Sequence, residues 1–204
     1  MAERVAIMLR QNILDGAIKC GSPLREEELS KQFDISRHVV REVLRMLAAD
    51  GLVDYSSFRG SRVVHLSPTD IQEISTARRF IELNTVRSPV TFDGPLLARI
   101  HQDFARAVER KDWREAFDLD LAFHVAIVSA NGNKLIAEWH RALVQRLRLA
   151  HLVAPAFQEE GLTRSVGQHA EIALAAAAGD QKRLAEALES HLLSAEEQLN
   201  ERAE

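Results

Sequence analysis

The feature that most constrains the fold is the break at Ser67-Pro68-Thr69-Asp70, because every apolar pattern beyond it is helical. Ser67 can cap a helix, Pro68 suits the first helical position, and Asp70 lies three residues after the cap. Apolar residues then recur every three or four positions between breakers rich in Gly, Pro, Asn and Asp. Six helices are predicted, over 69–88, 95–110, 113–130, 133–156, 163–178 and 181–202, with Gly161 as the break before the fifth. Residues 67–204 are therefore expected to form an all-helical antiparallel bundle.

The segment before this break has a different order of elements. A helix over 5–18, a short helix over 25–33, a tight turn and a helix over 37–50 precede two short strands around Gly60. The stretch KCGSPL (19–24) is interpreted as a break, because Gly21 and Pro23 interrupt the helical pattern. Helix, turn, helix and hairpin is the order of a winged helix-turn-helix domain. The predicted fold is mainly α, with a winged helix-turn-helix over 1–66 and a helical bundle over 67–204.

The helix over 37–50 carries Arg37, Arg41 and Arg45 every four residues on its free face. The first two lie at the N-terminal end, the part of a recognition helix that usually enters the major groove. A guanidinium group can bond guanine or phosphate, and the helix amides beside Ser36 suit a phosphate. An arginine row at this spacing is also common on solvated helix faces, so the row alone leaves both interpretations open.

Two further arginines, Arg59 and Arg62, flank Gly60 at the hairpin tip, where a wing would reach a neighbouring groove. The whole chain has a net charge of −4, which by itself argues against a nucleic-acid partner. Residues 1–66, however, hold 10 Lys and Arg against 9 Asp and Glu, whereas 67–204 hold 16 against 21. A near-neutral domain still binds DNA if its basic groups share one face, since screening confines their attraction to about 8–10 Å.

The bundle contains the run DLDLAFHVAIV, in which Asp120 and His124 lie one turn apart on the apolar side of a helix. His169 and His191 lie on two other predicted helices, each at helical spacing from apolar residues that are expected to be buried. Three imidazoles and a carboxylate suit Zn²⁺ or Ni²⁺, and Mn²⁺ or Fe²⁺ are also compatible with them. The alternative is a hydrogen-bonded or salt-bridged polar core. The histidines without matching partners are interpreted as surface or core filler; they are His65, His101, His140 and His151.

Residues 4–65 resemble the GntR family of bacterial repressors through LREEELSKQFDISRHVVREVLRMLAADGLV and FRGSRV. The resemblance implies that Arg37 and Arg41 are the recognition-helix arginines and that Arg59-Gly60 forms the wing. The family usually has Thr-Pro after the first of these arginines, whereas this chain has His38 followed by valine. His38 is therefore expected to alter which DNA bases are preferred. Some members use an arginine where this chain has Glu27, which leaves Arg25 as the nearest alternative contact.

Residues 70–200 resemble the FCD effector domain of the FadR-type subfamily, in its short, six-helix, VanR-like variety. The matching stretches are DLDLAFH, NGNKLI, QHAEIALAAAAGD and ESHLL. The resemblance implies a divalent metal held by Asp120, His124, His169 and His191, with a small carboxylate on or beside it. ARRFIE (77–82) matches the family's RxxLE motif, so Arg78 is predicted to bind the ligand carboxylate; its alternative is a salt bridge with Glu82.

The favoured function is a dimeric bacterial transcription regulator, a repressor, that reads a palindromic operator and responds to a small carboxylate. A bundle that only dimerises, with histidines as polar core, is one alternative. A metalloenzyme is another, but the chain shows no HExxH motif and no further carboxylate at a suitable spacing for a general base. No apolar run approaches the ~20 residues of a membrane span. With no secretory signal evident and one cysteine, Cys20, a cytoplasmic protein is expected.

Overall fold

The structure, a computed structural model, describes residues 1–55, 60–152 and 155–200. The order of elements in these ranges is α1 Ala2–Leu14, β1 Pro23–Leu24, α2 Glu26–Phe33, α3 Arg37–Ala49, β2 Val53–Asp54, β3 Ser61–Val63, α4 Pro68–Arg87, α5 Gly94–Glu109, α6 Trp113–Ser129, α7 Lys134–Leu152, α8 Pro155–Ala178 and α9 Gln181–Asn200. The chain forms two compact units, one of Met1–Ser67 with Gln145–Val153 and one of Pro68–Val144 with Ala154–Glu204. The mainly helical fold class predicted from the sequence is confirmed.

In the N-terminal unit α1 and α2 both pack against α3. Helix α3 begins where the Ser36 hydroxyl accepts a hydrogen bond from the Val39 amide, and it ends before Gly51, which has a φ of 73°. Its buried residues Val40, Val43, Leu44 and Leu47 are those predicted from the spacing. The opposite face of α3 is therefore free for another role.

Two details of this unit were predicted wrongly. Helix α1 ends at Leu14 rather than at residue 18, because the chain turns at Gly16. Gly16 has a φ of 73°, a left-handed conformation that glycine adopts more easily than residues with a side chain. The stretch interpreted as a break contains β1, which pairs with β3 through Pro23 and Leu24. The sheet order is β1-β3-β2, all antiparallel, so the predicted hairpin β2–β3 gains a third strand. A two-residue strand is too short to show alternation in the sequence.

In the C-terminal unit α5 packs against both α6 and α8, α9 packs against both α4 and α8, and α6 packs against both α4 and α8. The predicted break at Gly161 is wrong, since α8 runs unbroken from Pro155 to Ala178. One glycine in a helix interior costs only about 1 kcal/mol, and Pro155 at the first helical position is the stronger boundary signal. Among the described residues, no helix is long and apolar enough to span a membrane.

The buried residues of this unit form two apolar clusters. One gathers residues of α4, α5, α6, α8 and α9 around Phe123 and Ile172. The other lies around Phe104 and Phe117. The His169 ring stacks on Phe123, with centroids 4.3 Å apart, and lies 5.0 Å from the Phe104 ring. His169 therefore links the two clusters, and the polar residues described next are enclosed by apolar surroundings.

Candidate functional site

Four buried side chains converge inside the C-terminal unit. Asp120 and His124 project from α6, His169 from α8 and His191 from α9, and one ligand-type atom of each lies within 4.8 Å of the others. The His191 Nε2 atom is 3.1 Å from His124 Nε2 and 3.4 Å from His169 Nε2. Asp120 Oδ1 lies 3.4 Å from His169 Nε2. These residues, which the sequence pattern selected on three helices, form a buried cluster that can hold a metal ion.

In two of the three histidines, a hydrogen bond at the ring nitrogen that faces away from the cluster fixes the tautomer. His124 Nδ1 donates to the Glu82 carboxylate at 2.7 Å, and His191 Nδ1 donates to Gln168 Oε1 at 2.8 Å. With the proton on Nδ1, each Nε2 atom presents a lone pair, and these two lone pairs face each other across 3.1 Å. Such an arrangement is repulsive unless a cation lies between the nitrogens. It is also the usual arrangement around metal-binding histidines, whose second nitrogen bonds a carboxylate or carbonyl.

Distances within the cluster match the size of a small divalent ion. Ligand atoms 2.0–2.1 Å from a tetrahedral zinc ion are separated by about 3.3 Å. The two separations between ring nitrogens, 3.1 and 3.4 Å, bracket this value. The donor set of three imidazoles and one carboxylate therefore fits the ion in chemistry, and the two nitrogen–nitrogen separations fit it in size.

Glu82 is the centre of a second, adjoining network. Its fully buried carboxylate accepts hydrogen bonds from Arg78 Nε at 2.7 Å, His124 Nδ1 at 2.7 Å and His140 Nε2 at 2.8 Å. Burial by itself raises the pKa of Glu82, but the charge of Arg78 and the interactions with both imidazoles outweigh it and hold the pKa well below its ordinary value. Glu82 is therefore an anion that orients one prospective metal ligand.

His169 and His191 are held in their neutral form. Burial lowers the pKa of both His169 and His191 well below the ordinary value, and the neighbouring imidazoles and Arg78 lower it further. Burial also lowers the pKa of His140. Neutral imidazoles are the form that binds a metal, so no proton has to be displaced from these rings at neutral pH.

Three residues of the site were not recognised from the sequence. His140 was interpreted as filler, but it is fully buried and bonds Glu82. Glu82 was expected only as a salt-bridge partner of Arg78, and no role was predicted for Gln168. The register of His140 with Ala137 and Val144, both buried, is a signal that could have identified it.

Arg78 forms the salt bridge that was the alternative interpretation of its role. Its Nε atom forms the salt bridge with Glu82 at 2.7 Å. Its Nη2 atom is buried and has no hydrogen-bond partner among the described residues. The salt bridge therefore leaves part of the guanidinium group available, since guanidinium offers five N–H donors.

On the other unit, the predicted DNA-binding residues of α3 are exposed, including His38. Arg37 lies 3.3 Å from Glu27, and Arg41 bonds Glu26 at 2.9 Å. Arg25 likewise bonds Glu28 at 2.9 Å. Two acids of α2 thus pair with Arg37 and Arg41 of α3 in the free chain. Exposed pairs of this kind contribute only about 0–1 kcal/mol, so phosphates can replace the carboxylates.

The other residues predicted to contact DNA belong to α3 and to the segment around β3. The Arg45 guanidinium lies over the Tyr55 ring, 5.7 Å from its centroid. Gly60 has a φ of 77°, as a tight turn requires, and the Arg62 side chain on β3 is exposed. Arg59 lies outside the described residues.

Comparisons with known proteins agree with both halves. The model of the bacterial regulatory proteins of the gntR family matches residues 1–63, and that of the FCD domain matches 73–194. An uncharacterised HTH-type transcriptional regulator in an unstable DNA locus of Streptomyces ambofaciens is 30% identical over 196 residues, which cover 92% of this chain and 80% of the relative. The HTH-type transcriptional repressor RspR of Escherichia coli strain K12 is 33% identical over 127 residues, 60% of this chain and 55% of RspR.

A solved structure gives the same result. The crystal structure described as a GntR transcriptional regulator from Rhodococcus sp. RHA1 is 30% identical, has a TM-score of 0.86 and matches 98% of both chains. The chain therefore belongs to the GntR family of bacterial regulatory proteins and carries an FCD domain. Its relatives are DNA-binding regulators of transcription rather than enzymes, which confirms the expectation that this chain is not an enzyme.

Proposed function

We propose that this protein is a dimeric transcriptional repressor whose binding to a palindromic operator depends on a divalent metal and a small carboxylate in the C-terminal unit. The observation that carries the proposal is the pair of Nε2 lone pairs of His124 and His191, which face each other across 3.1 Å. A divalent cation bound by both nitrogens would make that arrangement favourable, and a regulator family supplies the context in which such a site senses rather than catalyses.

The donor set favours a borderline ion. Imidazole nitrogens of His124, His169 and His191 with the carboxylate of Asp120 suit Zn²⁺ or Ni²⁺, while Mn²⁺ or Fe²⁺ are compatible. When bound, the ion supplies a fixed positive charge at the centre of an apolar bundle. The residues of this chain do the rest: Glu82 and Gln168 orient two of the rings, and the two apolar clusters exclude water.

Arg78 is the residue proposed to bind the effector's carboxylate. Its Nη2 atom is buried without a described partner, and its Nε atom is paired with Glu82, which bonds the prospective metal ligand His124. A carboxylate accepts charge-assisted hydrogen bonds from guanidinium more strongly than water does.

The exposed face of α3 is proposed to read DNA. Arg37 and Arg41 would contact bases or phosphates, with Ser36, His38, Arg45, Gly60 and Arg62 around them, and Arg25 as a further phosphate contact. Two such faces related by a two-fold axis read the two halves of a palindrome.

The proposed coupling runs through α4, which continues the chain directly from the N-terminal segment and carries both Arg78 and Glu82. An effector that binds Arg78 displaces or fixes α4, and a few kcal/mol of differential binding is enough to shift DNA affinity substantially.

Fluorescence anisotropy tests the proposal with the full chain and a DNA duplex selected by it from a random pool. With zinc-loaded protein, at least one small mono-, di- or tricarboxylate should weaken DNA binding tenfold or more. After the metal is removed with a chelator, the same carboxylate should have no effect. If neither the metal nor any of the carboxylates changes the DNA affinity, the result would instead support a C-terminal unit that only dimerises.

A further inference from the structure

The three arginines on the exposed face of α3 have different partners in the free chain. Arg37 and Arg41 are each paired with a carboxylate of α2, at 3.3 and 2.9 Å. Arg45, one turn further along the helix, instead lies over the ring of Tyr55, with its Cζ atom 5.7 Å from the ring centroid. At this distance the electron-rich face of the ring attracts the cation. The partner that the structure describes for Arg45 is therefore neutral, unlike those of the other two arginines.

A neutral ring prepares Arg45 for an anion in a way that a carboxylate does not. The acids of α2 have to be displaced before Arg37 and Arg41 can bind DNA through the same N–H groups. The contact with Tyr55 cancels no charge and uses none of the five guanidinium N–H donors in an ordinary hydrogen bond. It also restricts the side chain before DNA arrives, which lowers the entropy lost on binding. Arg45 is thus preorganised for an anionic partner.

The position of Arg45 on α3 indicates which part of DNA that anion belongs to. Arg45 lies eight residues, or about 12 Å of helix, beyond Arg37. Base contacts come from the N-terminal end of a recognition helix, and the major groove is only about 12 Å wide. Tyr55 directly follows β2, which packs against α3. Arg45 and Tyr55 therefore lie where the helix meets the hairpin, at the edge of the groove, where DNA presents its phosphates.

We propose that Tyr55 is a positioning residue for DNA binding, which holds Arg45 for a backbone phosphate at the edge of the major groove. This inference rests on the proposed reading of DNA by α3. A phosphate contact adds affinity for every sequence alike, whereas base contacts distinguish one sequence from another. Tyr55 therefore affects the affinity for operator and for unrelated DNA by the same factor, and it does so through Arg45.

Fluorescence anisotropy with the full chain tests the inference on the selected duplex and on a duplex of scrambled sequence. Tyr55→Leu keeps an apolar side chain but removes the ring, and it should weaken binding to both duplexes by about two- to fivefold, the usual effect of an exposed cation–π contact. Tyr55→Phe keeps the ring and should bind both as tightly as the wild type. Arg45→Ala should weaken both equally and make the slope of log K against log salt concentration less steep by about 0.9.

A double-mutant cycle separates positioning from a purely structural role of Tyr55. In an Arg45→Ala background, Tyr55→Leu should cause no further loss of DNA affinity, because the group that the ring holds is gone. The matched control is an Arg41→Ala background, since Arg41 bonds Glu26 instead of the ring. There Tyr55→Leu should still weaken binding by its full factor.

The outcomes that overturn the inference differ from those that overturn the proposed function. A loss by Tyr55→Leu that persists without Arg45, or that Tyr55→Phe shares, overturns the positioning role, as does the absence of any loss. A loss confined to the selected duplex overturns the assignment to a phosphate. If Arg37→Ala, Arg41→Ala and Arg45→Ala all bind DNA as the wild type does, the proposed reading by α3 is wrong and the inference falls with it.

Discussion

The Glu82 carboxylate accepts a hydrogen bond from Nδ1 of His124 at 2.7 Å, across 42 residues of sequence. This bond joins α4 to α6 and fixes the tautomer of a prospective metal ligand. The same carboxylate bonds His140 on α7 and Arg78 on its own helix. The geometry of the histidine cluster and the packing of three helices are therefore linked through one buried anion.

Replacing that anion should weaken metal binding without removing a ligand. Glu82→Gln is expected to lower zinc affinity by about 10–100-fold, since His124 loses its charged partner. The Arg78 charge would also be left buried without a counter-ion, which costs about 3–5 kcal/mol of unfolding free energy. Competition with a chromophoric chelator measures the first effect and urea unfolding the second. Glu171→Gln is the matched control, because the Glu171 side chain is only partly buried and bonds Arg183; equal losses in both variants would refute the role of Glu82.

The arginines of α3 should carry DNA affinity. Arg37→Ala and Arg41→Ala are each expected to cost about 1–3 kcal/mol, or roughly tenfold and more in dissociation constant. Anisotropy with a selected duplex at several salt concentrations measures the change. Arg110→Ala, which removes an exposed arginine paired with Glu115 in the other unit, should have little effect. If both α3 variants bind DNA as tightly as the wild type, α3 is not the helix that contacts the operator.

The acids of α2 should compete with DNA for those arginines. Glu26 holds Arg41 at 2.9 Å, so Glu26→Gln is expected to free the guanidinium and to tighten DNA binding. The gain is at most about fivefold, because an exposed ion pair contributes up to about 1 kcal/mol. Glu115→Gln in the C-terminal unit has the same charge change and should bind DNA as the wild type does. Weaker DNA binding by Glu26→Gln would show that this acid supports the interface instead.

Two glycines should respond in opposite directions to the same substitution. A Cβ atom on Gly94 would lie 2.9 Å from the Ala177 Cα atom, so α5 and α8 approach each other closely there. Gly94→Ala is expected to destabilise the fold by about 1–3 kcal/mol. A Cβ on Gly167, inside α8, meets no atom within 4 Å among the described residues, so Gly167→Ala should stabilise by up to about 1 kcal/mol. Thermal unfolding compares the two, and destabilisation of both by the same amount would contradict the packing described.

The helical architecture and the four clustered side chains could be predicted because each depends on local spacing. Asp120 and His124 are recognisable because they lie four residues apart on the apolar face of one helix. His169 and His191 each lie at helical spacing from apolar residues of their own helices. Boundaries were less predictable where two signals competed. Gly161 looked like a break, yet a helix tolerates one glycine, and the boundary falls at Pro155 instead.

The residues that orient the ligands could not be inferred in the same way. Glu82 and His140 belong to α4 and α7, and their bond spans 58 positions of sequence. Within its own helix Glu82 looks like a salt-bridge partner of Arg78, which it is, and its second and third hydrogen bonds depend on the packing of three helices. Strand β1 was missed for a related reason, since its two residues gain their structure from β3.

The central claim is tested most directly by titrating metal-free protein with Zn²⁺ in a calorimeter. The wild type should bind one ion per chain at the buried cluster, and His169→Ala and His191→Ala should each lose most of that binding. His65→Ala, an exposed histidine of the other unit, should still bind one ion per chain. A wild type that takes up no zinc, nickel, manganese or iron, or ligand variants that bind the ion as tightly as the wild type, would contradict the account.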